Sequence, residues 1–328
     1  MKFKHLTVHI SDIRFDDSAF LLTTPEMKPD ITASVKAAGI INPPIVACLN
    51  DDGKGGYVIV SGFRRIKAAM ESGVDMIDAR MAENALEADL IDIAVSENAS
   101  QRELNPVERS RAFRMYMRVM KNPEAAAGRM NALVNRPEAF ETAKTVKKLL
   151  PLCGYHADVQ SGVVEGWLPL PMAFELGAMQ EDECLYFAGL FRNNKTSLGK
   201  QREILQNVTE IAAREGLTRL SVMNDETLKS ILNDPDMEVN RKTAELRHAL
   251  KKRRYPAISK VEEIFGELVS ELGLKKNVTL EPPQFFEGGS YVLTLRFSGK
   301  KELLDGLKSA EDAANHPHME AILGKIWG

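Results

Sequence analysis

Cysteine is scarce: Cys48, Cys153 and Cys184 are the only three in 328 residues, far apart and never in a CxxC pair. That spacing excludes a disulfide framework and a cysteine-zinc site, and leaves buried thiols as the simplest reading. The six histidines never stand with acids at ligand spacing, and His316 and His318 flank Pro317 in a predicted loop, so no metal cage is expected from them. No window approaches the roughly 18 apolar residues of a membrane span. The opening MKFKHLTVHISDIRF lacks the continuous apolar centre of a secretory leader. The expected location is therefore cytoplasmic, with no membrane partner. A surplus of positive charge is missing too: 43 Lys and Arg face 46 Asp and Glu, a formal net charge of −3. Any contact with a polyanion must then come from local clusters.

What is present is an ordinary globular composition, 44% hydrophobic and 27% charged, in a chain long enough for two or three cored domains. The texture changes twice. Up to about residue 108, short β-like runs (HLTVHI, PPIVACL, YVIVSG, DMIDARMA) alternate with helical ones (PDITASVKAAGI, RRIKAAMESG, ALEADLIDIAVSENA), which predicts an α/β domain of mixed connectivity. Residues 109–250 read as helix almost throughout, broken at KNPEA, NRPEA, LPLP and NDPD. Residues 251–328 read as a small α+β module: a helix SKVEEIFGELVSELGL with Ser259 and Glu262 spaced as a capping box, strands NVTLE and SYVLTLRF, and a helical end. The predicted domains are 1–108, 109–250 and 251–328.

The stretch VIVSGFRRIKAAMESG (58–73) takes a β-branched run through Gly62 into Arg64, Arg65 and a helix. A strand, a glycine turn and a helix start place outward backbone N–H groups and the positive end of the helix dipole together, a candidate phosphate site. The competing reading makes the two arginines ordinary first-turn residues paired with nearby acids.

SVKAAGIINPPIVA (34–47), YVIVSGFRRIKAA (57–69) and SENASQRELNPVERSRAF (96–113) stand in the order and spacing of three motifs of the ParB-like partition proteins. In these segments the chain resembles a divergent member of that family. The resemblance implies a ParB/sulfiredoxin-fold N-terminal domain and a nucleotide pocket, for CTP with Mg²⁺, that closes a DNA-bound clamp. Carried over position by position, it implies nucleotide contacts from Gly39, Asn42, Gly62, Arg64, Arg65, Gln101 and Arg102. It likewise makes Glu97 and Asn98 the catalytic and Mg²⁺-holding pair. The residue types suit these roles, since guanidinium forks match phosphate and an acid beside an amide suits a hydrated Mg²⁺.

The departures are specific. Phe63 stands where the family has glutamate, Ala47 where an arginine often follows the first strand, and Gln101 where the third motif has arginine, with Arg102 one residue later. Each removes a polar contact to a nucleotide.

In the middle region, helices over 125–134 and 141–150 around NRPEAF resemble the family's helix-turn-helix. Lys144, Lys147 and Lys148 fall on the second helix, with Thr142 and Thr145 for phosphate or base contact. The alternative is a solvated helix face. Between Met237 and Lys260, eight Lys or Arg meet two Glu. The densest part, Lys251, Lys252, Arg253 and Arg254, is a candidate for nonspecific phosphate contact or a solvated linker. The C-terminal strands offer an edge for pairing with a second copy, a homodimer in agreement with the family.

Two function classes follow. One is a ParB-like DNA-associated protein of plasmid or chromosome partition, nucleoid- or plasmid-associated, with a partition ATPase as partner. The other is an enzyme on the same fold, small-molecule or nucleotide-processing; a scaffold with a degenerate pocket is a third reading.

Overall fold

The computed structural model describes residues 2–24, 31–48, 56–134, 140–287 and 289–324. The chain falls into two compact units, Met1–Leu198 and Gly199–Gly328. The boundaries expected at 108 and 250 lie inside these units.

The first unit opens with β1 (Lys2–His9), β2 (Ile13–Arg14), α1 (Thr32–Ala38), β3 (Ile45–Ala47), β4 (Tyr57–Ser61), α2 (Phe63–Glu71), β5 (Met76–Glu83) and α3 (Glu87–Ala99). The start of the helix expected over 29–40 lies partly outside the described residues. The five strands form one mixed sheet in the order β1-β5-β3-β4-β2. β1 runs antiparallel to β5, β5 parallel to β3, β3 antiparallel to β4 and β4 parallel to β2. The two-residue β2 is too short to leave an alternation in the sequence.

The run Val58–Ser61 is buried throughout, as a strand covered on both faces requires. Ile59 joins Val35 of α1 and Ile66 and Ala69 of α2 in one core cluster. Neighbouring residues on a strand point to opposite faces, so Val58 and Val60 face the other side, where α3 packs on β4.

The unit continues through α4 (Pro106–Met120), α5 (Pro123–Val134), α6 (Ala143–Leu149), α7 (Ala157–Glu165), α8 (Leu170–Gly177) and α9 (Glu181–Asn193). Asn105 caps α4: its Oδ1 accepts from the N–H groups of Val107 and Glu108 at 3.0 Å, and the Glu108 carboxylate accepts from Asn105 N at 3.1 Å. Pro106 fills the first helical position, where no N–H is needed. α4 packs on α3, α5, α6 and α7.

The second unit contains α10 (Leu198–Glu215), α11 (Arg219–Met223), α12 (Glu226–Asn233), α13 (Val239–Arg254), α14 (Pro256–Glu271), β6 (Val278–Glu281), β7 (Val292–Leu295), α15 (Lys300–Ala314) and α16 (Pro317–Leu323). β6 and β7 form an antiparallel pair, and Phe265, Leu272, Ala313 and Ile322 make the buried core beside them. The capping box expected at Ser259 and Glu262 does not form. Pro256 starts α14 a turn earlier, Ser259 N bonds to Tyr255 O at 2.9 Å as an interior helical residue, and Glu262 pairs with Lys251.

Candidate functional site

A cleft of about 740 Å³ opens where β4 ends, bordered by the turn after α1, the start of α2, β5 and the last turn of α3. Gly62 is its hinge. The residue sits at φ +102°, and a Cβ there would lie 2.7 Å from Pro44 Cβ. A side chain is thus excluded by backbone conformation and by space together. The same backbone bend aims the first turn of α2 at the cleft, as the strand-glycine-helix pattern predicts.

Gly39, Asn42, Gly62, Arg64, Arg65, Glu97, Asn98 and Gln101 all line this cleft. Three segments separated by up to 62 residues are thereby brought together. Arg65 reaches back across the Gly62 turn and donates through Nη1 to the carbonyl of Asn42 at 2.5 Å, which ties the start of α2 to the turn after α1. Burial holds its guanidinium below the ordinary arginine range, opposed by the carboxylate of Glu97 and reinforced by Arg80. An arginine remains charged under such pressure. Its neighbours are carbonyls, and a negatively charged ligand would relieve the desolvation.

Arg80 is the residue that local motifs missed. It lies mid-strand on β5, lines the cleft, faces Glu97 across 3.6 Å and stacks over Phe3 at 5.3 Å. Its strand has partners on both edges, a placement that only the folded sheet reveals. The cleft lining holds three arginines against one carboxylate, Glu97, and no cysteine among the described residues.

Arg102 is placed elsewhere. Its guanidinium forks onto the carboxylate of Glu108, which is fully buried, and it is absent from the cleft lining. The one-residue offset from the family's arginine position turns the side chain toward the α4 cap. Phe63 lines the cleft and also meets Phe15 edge-on at 6.4 Å, so its ring belongs partly to the core. Ala47 is buried in β3.

For Mg²⁺, the donor set is one carboxylate, Glu97, and the Oδ1 of Asn98, whose Nδ2 is engaged with Ala94 O at 2.8 Å. Among the described residues no group of three His, Cys, Asp or Glu is gathered for a metal. These two side chains suit a Mg²⁺ that arrives with phosphate oxygens and water, and not a cage made by protein alone.

The helix-turn-helix reading falls on α5 and α6. Residues 135–139 of the expected turn lie outside the described residues. Its far end is fixed: Glu141 exchanges backbone hydrogen bonds with the Asn131 amide at 2.7 and 2.9 Å, and its carboxylate accepts from Arg109 Nε at 2.7 Å. Lys144, Lys147 and Lys148 lie on the exposed side of α6, with Lys148 over the Phe174 ring at 5.8 Å. The Thr142 hydroxyl accepts from Thr145 N at 3.2 Å and contacts Thr145 Oγ1 at 3.0 Å, so both hydroxyls help to close the first turn.

The basic run at the end of α13 is engaged within its own unit. Lys251 pairs with Glu262, Lys252 with Glu263, and Arg253 with Glu215 and Asp225. Arg254 pairs with Glu210, bonds Asn207 and stacks on Tyr255 at 4.5 Å. This run, expected to contact phosphate or to serve as a solvated linker, forms ion pairs within its unit that join α13 to α10, α12 and α14. No helix among the described residues is long and apolar enough to cross a membrane.

The chain matches no curated protein. Solved structures similar to it include the C-terminally truncated chromosome-partitioning protein ParB from Caulobacter crescentus complexed with CTP-γ-S. That chain is 20% identical, covers 57% of this chain and 98% of its own, and has a TM-score of 0.27. The same protein complexed to the centromeric parS site is 18% identical, with 60% and 96% covered and a TM-score of 0.31. A Pnob8-like ParB-N domain is 13% identical, with 77% and 98% covered and a TM-score of 0.34. Residues 10–99, which hold the sheet from β2 to β5 together with α1 to α3, match the ParB N-terminal domain. That match takes in the α/β segment of the first unit, which is followed by a helical middle and a small C-terminal β region.

Proposed function

We propose that this chain is a DNA-associated partition protein whose N-terminal cleft binds a nucleoside triphosphate, CTP by the three-motif resemblance. The single observation that carries the reading is the convergence of the Gly62 turn, Arg64, Arg65 and the Gly39–Asn42 turn on one cleft whose described lining is rich in guanidinium and poor in carboxylate. Backbone N–H groups at the start of α2 and the two arginines would take the phosphates. Glu97 and Asn98 would hold a Mg²⁺ carried in with them, which would screen phosphate charge.

DNA would be met by α6, through Lys144, Lys147 and Lys148. A homodimer would form through the C-terminal module, where Val292, Leu293, Phe297, Leu304 and Leu307 leave large apolar side chains exposed. A partition ATPase is the further partner that this reading names, at the nucleoid or on a plasmid.

Calorimetric titration of CTP, ATP, GTP and UTP into the full chain tests the reading. Binding is expected to favour CTP, to weaken at least about tenfold in Arg65→Ala, and to vanish in Gly62→Ala, whose Cβ has no room. Equal failure of all four nucleotides to bind would leave the cleft a structural remnant.

A further inference from the structure

Arg80 sits opposite His5 of β1 and Ile45 of β3, so both edges of its strand are fixed and only its side chain can move. Its guanidinium is poorly matched. The ion-pair distance to Glu97 is 3.6 Å, beyond a good charge-assisted hydrogen bond, and Nε is buried with no acceptor. Arg65 nearby donates to carbonyls. Two half-buried guanidinium groups therefore share one imperfectly placed carboxylate.

We propose that Arg80 is a further phosphate-binding residue of the cleft, held by Glu97 until a polyphosphate takes it over. The inference rests on the phosphate reading of the cleft and adds the residue that the motifs do not contain. A phosphate group offers several oxygens to the guanidinium fork at short distance, which the Glu97 carboxylate at 3.6 Å does not. Arrival of the polyanion then frees Glu97, the sole carboxylate among the described residues of the lining, for other work. Glu97 is thus a competitor for the ligand's place until the ligand arrives.

The test is calorimetric titration of inorganic tripolyphosphate and of CTP into the full chain in Mg²⁺-free buffer, with Arg65→Ala, Arg80→Ala, Arg80→Lys and Glu97→Gln beside the wild type and a melting curve for each. Arg80→Ala is expected to weaken both ligands about tenfold or more, and Arg80→Lys to recover part of that loss. Glu97→Gln is expected to bind both more tightly than the wild type. If Arg80→Ala binds like the wild type while Arg65→Ala does not, Arg80 is overturned as a ligand and the cleft reading stands. A melting temperature lowered in Arg80→Ala with unchanged affinity assigns it a structural role and overturns the proposal too. Weaker binding by Glu97→Gln without Mg²⁺ overturns its part as a competitor. No binding by the wild type removes both the cleft reading and the inference.

Discussion

Arg102 and Glu108 form a forked ion pair that joins the end of the third motif to the cap of α4. The carboxylate is fully buried and also accepts from Thr24 N at 3.2 Å and Asn105 N at 3.1 Å. One side chain thus closes the helix cap, receives the loop before α1 and neutralises Arg102. Glu108→Ala leaves these donors without an acceptor and is expected to destabilise the protein by about 2–4 kcal/mol, measured by urea unfolding. Arg102→Ala is expected to cost less, since that side chain is 29% exposed, and to leave nucleotide affinity unchanged. A loss of CTP affinity in folded Arg102→Ala would return this arginine to the cleft.

Phe63 gives the second prediction. Its ring packs on the α1–α2 core and against Phe15 while standing at the mouth of the cleft. A phenyl ring can neither orient a water nor take a proton. Phe63→Glu is expected to lower stability by about 1–2 kcal/mol through lost apolar burial and ring contact. In the presence of Mg²⁺ it is expected to raise the rate of phosphate release from CTP above that of the wild type. Brisk hydrolysis by the wild type would show that no carboxylate is needed at this position.

The outcome of sequence reading differed from residue to residue for physical reasons. The Gly62 turn was legible because a buried β-branched run, a glycine and a helix start are all local. The Asn105 cap of α4, found in the structure, is just as local, since it spans three residues. The partner of Arg102 was not legible, because its direction depends on where Glu108 is buried. Arg80 was invisible as a cleft residue because its strand reads as any alternating strand; it is the neighbours β1 and β3, distant in sequence, that enclose it. The second unit repeats the point. A run such as KKRRYP reads as free positive charge until α10, α12 and α14 supply Glu210, Glu215, Asp225, Glu262 and Glu263 from outside it.

Those pairings change what salt should do to DNA binding. Each phosphate contact that releases a counterion contributes about 0.9 to the slope of log affinity against log salt on duplex DNA. If Lys144 and Lys147 touch phosphates, the double variant Lys144→Gln with Lys147→Gln should reduce that slope by about two, read by fluorescence anisotropy of a labelled duplex between 50 and 300 mM salt, a range of about sixfold. Replacing Lys251, Lys252, Arg253 and Arg254 by glutamine would reduce it by up to about four were they on the DNA. Because each already faces an acid of its own unit, the expected slope is unchanged. The expected loss is of stability instead, above all from Arg254, whose side chain is 15% exposed and whose removal takes the donor from Asn207 Oδ1 and leaves Glu210 with the Gln206 amide but no cation, about 1–3 kcal/mol. A slope that falls with the four glutamines and stays fixed in the Lys144 and Lys147 variant would move the DNA contact from α6 to α13.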